Sequence, residues 1–198
     1  FWLIALACVV SFLSSFGSKL NLIEPIFFNK FLISLNQIQF YDFKTTYLIG
    51  NEWWRLITPM FIHFSPTHLI FNSLWIYILG REIEQLDGKI IFIFLILFTS
   101  IVSNYLQYSF SGPSLFGGLS GVVYGLLGYC FVSETFLRIN KFSFPPAIYI
   151  FMFVWLLIGF TGFLDLLGFG KIANFAHLGG LLSGILSGYI FSMYNKKT

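Results

Sequence analysis

Six apolar runs, each close to the length of a bilayer-crossing helix, decide what this chain can fold into. They fall at roughly 1–17, 68–86, 89–109, 117–136, 146–166 and 173–193. A helix needs about 20 mainly apolar residues to cross the hydrocarbon core. Only 10% of the residues are charged, against about 25% in an ordinary soluble domain, and mean hydropathy is +0.83. So few charges cannot cover a soluble surface, and lipid has to cover it instead. The expected fold is all-α: a polytopic membrane protein built as one bundle of six transmembrane helices over residues 1–198.

Other classes fall away quickly. The net charge of +3 is small and scattered, so nucleic acid is not an expected partner. Cys8 and Cys130 both lie inside apolar runs; a disulfide framework needs paired, exposed positions, and both read as ordinary buried residues. No His-Glu-x-x-His motif occurs, and three scattered histidines make a poor zinc site, so neither metal nor other cofactor is expected. The opening "FWLIALACVV" has no initiator Met and no basic leader. It reads as a membrane core and not as a signal peptide with a cleavage site.

Between the first two runs lies a connection of about 50 residues, 18–67. Its stretches "FFNKFLISL" and "EWWRLITPMFIHF" are amphipathic and rich in aromatics, which favour the membrane–water interface. The reading is a long interfacial first loop folded as short helices. Basic residues then orient the chain. Arg81, Lys89, Arg138, Lys141, Lys196 and Lys197 share one side, while Lys19, Lys30, Lys44, Arg55 and Lys171 share the other. By density in short loops this puts both termini in the cytoplasm. No internal repeat of the kind inverted-repeat transporters carry is present.

Strongly polar residues inside spans are costly and are functional candidates by default. His68 and Asn72 fall in the second run, Ser120 in the fourth and His177 in the sixth, with Glu84 near the far end of the second. Runs two, four and six cross in the same direction, and His68, Ser120 and His177 each lie within the first turn or two. All three are expected at one depth below the outer surface. Gly121 and Gly125 on run four, and Gly180, Gly184 and Gly188 on run six, are spaced four apart, the spacing that lets membrane helices pack backbone to backbone. Gly180 and Gly184 follow His177 at i+3 and i+7, on its own face.

A serine beside a histidine suits nucleophilic catalysis, with the imidazole moving the hydroxyl proton. No acidic residue lies in run six to make a third member, so the pattern is a dyad, with Tyr124 at i+4 from Ser120 placed to hold the ring. His68 and Asn72, at i and i+4, and the Ser120 N–H at a helix start are candidate oxyanion donors. Pro113 and the glycines of "SGPSLFGG" break the helix before Ser120. Irregular backbone at such depth is tolerated where protein or water surrounds it.

These residues resemble the rhomboid intramembrane serine proteases, most closely the bacterial GlpG type. "WWRLITPMFIH" is similar to the family's Trp-Arg motif, "HLIFN" to its His-x-x-x-Asn motif, "GLSG" to its Gly-x-Ser-Gly motif and "NFAHLGGLLSG" to its last-span His followed by Gly-x-x-x-Gly. The resemblance implies Ser120 as nucleophile and His177 as general base and acid, with His68, Asn72 and Ser120 in the oxyanion hole. Tyr124 would stack on His177, Gly118 and Gly121 would support the nucleophile turn, and Gly125, Gly180 and Gly184 would pack helices. Arg55 and Glu84 would be structural, 165–174 a cap loop over the site, and 146–166 a lateral gate. It also implies single-span membrane proteins as substrates, a bacterial inner (cytoplasmic) membrane location with the site opening to the periplasmic side, and a core without the cytoplasmic N-terminal domain that many members carry.

Blander readings stand beside these. A membrane serine commonly bonds back to a carbonyl, His177 could join two helices, and His68 with Asn72 could tie their helix to its neighbours. Trp53, Trp54 and Arg55 read as anchors of the first loop, and His63 as a loop residue that lies near enough to water to be a minor contributor to the site. Phe151, Phe153 and Trp155 read as lipid-facing or packing residues. The functional alternative is a catalytically inactive rhomboid-like protein that binds or relocates membrane clients; such relatives typically lack the nucleophile or base, and both are kept here.

Overall fold

A computed structural model of the protein describes residues 2–34, 37–136, 141–163 and 172–195. Helix dominates it, and each apolar run contains one: α1 (Trp2–Leu13), α3 (Pro66–Leu86), α4 (Lys89–Ser111), α5 (Ser120–Phe131), α6 (Pro146–Phe160) and α7 (Asn174–Asn195), with a short α2 (Leu20–Ile23) after the first. Among them, Lys89–Ser111 has the length and apolarity of a complete span by itself; Trp2–Leu13 and Pro146–Phe160 are apolar but shorter.

Local chemistry shortens three of the runs relative to the sequence expectation. α1 ends at Leu13 because Ser15, Phe16 and Gly17 turn back at φ of 49°, 52° and 77°. There the Gly17 N–H donates to Ser14 Oγ at 3.1 Å. α6 stops at Phe160 before Gly162, at φ 74°. α5 begins at Ser120 and not near 117, because Gly118 at φ 117° admits no helix. Beyond Phe131 the chain continues through a wider π-turn, Val132–Phe136. α3 starts earlier than expected: Pro66 occupies its first turn, and Ser65 caps it by accepting the His68 N–H at 3.1 Å.

α5 is the centre of the molecule. Every residue from Gly121 to Cys130 is buried, which a helix achieves only with neighbours all round it. Its glycines make that possible. A Cβ at Gly180 would stand 1.9 Å from the Gly121 carbonyl oxygen, and one at Gly184 would stand 1.9 Å from the Gly125 carbonyl oxygen. On the opposite side, a Cβ at Gly121 or Gly125 would strike Ser103 or Thr99 of α4. α4, α5 and α7 therefore stack through small residues, with no room for one added methyl.

The first loop departs from the expected all-helical reading. It does contain short helical turns, including Trp53–Leu56 and Thr58–Phe61. However, Phe31–Ser34 (β1) and Gln37–Phe40 (β2) pair antiparallel with Phe31 opposite Phe40. "FFNKFLISL" thus ends in a strand, whose Phe31 packs under the loop with Phe27 and Ile62 while Leu32 and Ile33 are exposed. Arg55 ties the loop together from a buried position. Its guanidinium contacts Glu24 Oε1 at 3.0 Å and Glu52 Oε2 at 2.5 Å, and donates to the carbonyls of Phe27 (3.1 Å) and Glu24. Burial alone would raise the Glu52 carboxyl, but hydrogen bonds from Arg55 and Lys30 outweigh it and hold it below the usual carboxylate range. Trp54 Nε1 donates to the Pro25 carbonyl at 2.9 Å.

α4 docks this loop with a polar stripe that the sequence reading did not single out. Asn104 Nδ2 donates to the Leu56 carbonyl at 2.8 Å, and Ser100 Oγ to the Ile57 carbonyl at 3.2 Å. One turn on, Gln107 Oε1 accepts the Ala176 N–H at 3.1 Å and so caps the start of α7.

Candidate active site

The turn before Ser120 is built from the backbone outward. Gly118 sits at a φ that L side chains rarely adopt, and a Cβ there would collide with the His68 ring at 2.6 Å and approach Asn72 Nδ2 at 3.4 Å. Glycine is therefore required twice over, by conformation and by space. Gly117 is equally confined, by the Pro59 carbonyl and Ile62. The Gly118 N–H donates to the Pro59 carbonyl at 3.1 Å, and the Leu119 N–H to His63 Nε2 at 3.4 Å. The next amide, Ser120 N–H, opens α5 and has no acceptor among the described residues. It carries the positive end of the helix dipole.

Ser120 Oγ lies 2.8 Å from His177 Nε2, 57 positions away in sequence. The glycine contacts between α5 and α7 bring them together, because His177 shares its face of α7 with Gly180 and Gly184. His177 is buried, and the Tyr124 ring stacks on it at 4.7 Å and 29°. Tyr124 is itself fixed through its hydroxyl, which donates to the Met152 carbonyl of α6 at 3.0 Å. Ser120 makes no bond back to the preceding turn among the described residues; its hydroxyl faces the imidazole.

Asn72 is buried, and its Nδ2 has no partner among the described residues. An amide left unsatisfied in such a place costs free energy, which marks this cavity-bordering donor as a candidate for binding a group that enters the cavity. His68 is half-buried beside it. Both border a cavity of about 310 Å³ whose walls include Phe71, Ser120, Tyr124, Trp155 and His177.

The remaining sequence-derived residues fall into place around this cavity or away from it. Arg55 lies in the first loop and Gly125 in the helix stack, both described above. Glu84 is exposed near the C-terminal end of α3, beside a groove shared with Trp2 and Arg81, and takes no part in the site. Of the cap segment 165–174, residues 165–171 lie outside the described residues. In α6, Trp155 stacks on Phe71 at 5.5 Å and Phe151 on Trp75 at 6.3 Å, so aromatic rings close the side of the site between α3 and α6. Phe153 instead packs on Phe131.

His63 is a correction. It is not near water but wholly buried, 5.0 Å from the His68 ring between ring centres. Burial, the neighbouring His68 and, in the opposite sense, a bond to Phe61 together bring its pKa down to about 3. Asn104, Gln107 and Ser103 were missed. Their signal was available: Thr99, Ser100, Ser103, Asn104 and Gln107 recur at helical spacing along one buried face of α4.

Residues 50–194 match the family model of the Rhomboid domain. The chain belongs to the rhomboid family. Its relatives include proteins named Rhomboid protease GlpG. The one from Haemophilus influenzae is 36% identical over 149 residues, covering 75% of this chain and 74% of its own. The one from Serratia proteamaculans is 39% identical over 136 residues, covering 69% and 47%. The one from Klebsiella pneumoniae is 34% identical over 146 residues, covering 74% and 51%. The chain thus spans about half the length of the last two. Within the family this rhomboid groups with serine-type proteases of the membrane interior, and it is an integral membrane protein.

Proposed function

We propose that this rhomboid cuts single-span membrane proteins with a Ser120–His177 dyad. The observation that carries the proposal is the 2.8 Å approach of Ser120 Oγ to His177 Nε2 at a cavity bordered by unpartnered hydrogen-bond donors. His177 Nε2 takes the Oγ proton as Oγ bonds to the scissile carbonyl carbon, and the carbonyl electrons move onto oxygen. The Ser120 N–H, Asn72 Nδ2 and the His68 ring stabilise that oxyanion. His177 then returns the proton to the departing amine as the C–N bond breaks, leaving an acyl-serine. Water completes the cycle by the same relay: His177 removes its proton, the hydroxide oxygen attacks the acyl carbon, and Ser120 leaves with the proton. Tyr124, stacked on the imidazole, does the orienting that an acid does in a triad.

The wider reading goes with it. The six longer helices act as one six-span core in a bacterial inner membrane, with both termini cytoplasmic and the cavity opening to the periplasmic side. Water enters from that side. A substrate helix enters between α3 and α6, where aromatic contacts close the gap. The client-binding alternative has nothing in its favour here, since the hydroxyl and imidazole it would dispense with stand in contact.

Reconstituted protein mixed with a single-span reporter tests this. The wild type is expected to cleave the reporter, while Ser120→Ala and His177→Ala fold and do not. Cleavage surviving in folded Ser120→Ala would remove the nucleophile.

A further inference from the structure

The geometry points to His63 as a positioning residue: it clamps the Leu119 peptide so that the next amide, Ser120 N–H, faces the cavity. This rests on the oxyanion role proposed above for that amide. Three observations meet at the His63 ring. Nδ1 lies 3.3 Å from the Phe61 carbonyl, Nε2 lies 3.4 Å from the Leu119 nitrogen, and the ring packs against His68. A carbonyl only accepts, so Nδ1 carries the hydrogen. An amide N–H only donates, so Nε2 presents its lone pair. The pair of contacts therefore selects one neutral tautomer, and the low pKa of this fully buried ring agrees with neutrality.

The consequence lies in the order of three consecutive amides. Gly118 N–H is taken by the Pro59 carbonyl, Leu119 N–H by His63, and Ser120 N–H is left open. Were Leu119 N–H without its acceptor, a buried donor would be left unsatisfied, and the turn at Gly118, in a left-handed conformation, would have one tether instead of two. His63 also packs against the His68 ring. One buried residue of the first loop thus sets both the backbone donor and a side-chain donor. It is not among the residues that line the cavity.

Substitutions separate this role from plain packing. In Gln, Oε1 reaches about where Nε2 stands and can accept the Leu119 N–H. Asn is shorter; it can replace the Nδ1–H donor toward Phe61 but not the acceptor toward Leu119. Turnover of a single-span reporter is measured for wild type, His63→Gln, His63→Asn and His63→Leu, alongside thermal midpoints and the rate of serine labelling by a fluorophosphonate. We expect His63→Gln to keep kcat within about threefold, one tethering hydrogen bond being retained. We expect His63→Asn and His63→Leu to lose about 10- to 100-fold in kcat, the scale of small misplacement at a reacting centre, with KM nearly unchanged. Wild-type kcat in His63→Asn, or a loss in His63→Gln as large as in His63→Leu, overturns the clamp. If His63→Leu fails to fold, the Gln and Asn variants still decide. Absent labelling of the wild type would overturn the dyad itself, a result distinct from any change confined to position 63.

Discussion

Asn72 shows how much one residue can be asked to do. Its amide is buried and unpartnered, and it faces Gly118 across a gap that a methyl group would close. Under the proposed mechanism this donor gains most when negative charge develops beside it. Asn72→Ala should therefore lower kcat by about 10- to 1,000-fold and leave KM little changed, measured on the single-span reporter. A change confined to KM would place Asn72 in substrate binding. The members of this site were legible in the sequence because His68, Ser120 and His177 each fall near a helix start. Their hydrogen-bond partners were less so. His63 reads as a loop histidine until the fold buries it, and its acceptor role depends on Leu119, 56 positions away. No local pattern encodes that pairing.

At the scale of elements, glycine spacing is the organising signal. Gly121 and Gly125 meet Gly180 and Gly184 so closely that the α5–α7 distance, and hence the Ser120–His177 distance, is set by the absence of side chains. Gly184→Val would have to push the helices apart, since its Cβ starts 1.9 Å from a backbone oxygen. Overpacking of this kind costs about 1–3 kcal/mol or more, read from unfolding in mixed micelles, and activity should fall further than stability because the dyad separates with the helices. Unchanged cleavage in Gly184→Val would mean that the pair is held by something else. The glycine faces were readable directly, four apart on two apolar runs. The β1–β2 hairpin was not. Phe31–Ser34 is a four-residue run too short for its period to separate strand from helix, and what decides it is pairing with Gln37–Phe40 and packing of Phe31 against Phe27. The α4 stripe had a readable spacing but unreadable partners: Asn104 and Gln107 lie in a helix long and apolar enough to be a complete span, and Leu56 and Ala176 are 48 and 69 positions away.

At the scale of the whole molecule, the first loop and the helix bundle are one device. Arg55 knots the loop, Ser100 and Asn104 moor it to α4, and Pro59 and His63 carry its position to the turn before Ser120. Apolarity accounts for the helices, yet the chain spends its few polar groups on joining this loop to the place where α5 begins. α5 begins late, at Ser120, because the turn before it is irregular backbone enclosed by protein, which is how non-helical chain persists at membrane depth. The resulting notch holds a hydroxyl against an imidazole with donors waiting beside it. The most direct measurement of that claim is intact mass after exposure of the purified, folded protein to a fluorophosphonate. The account predicts a single covalent adduct on the wild type, absent from Ser120→Ala and from His177→Ala. An unmodified wild type, or an adduct that persists in Ser120→Ala, would contradict it.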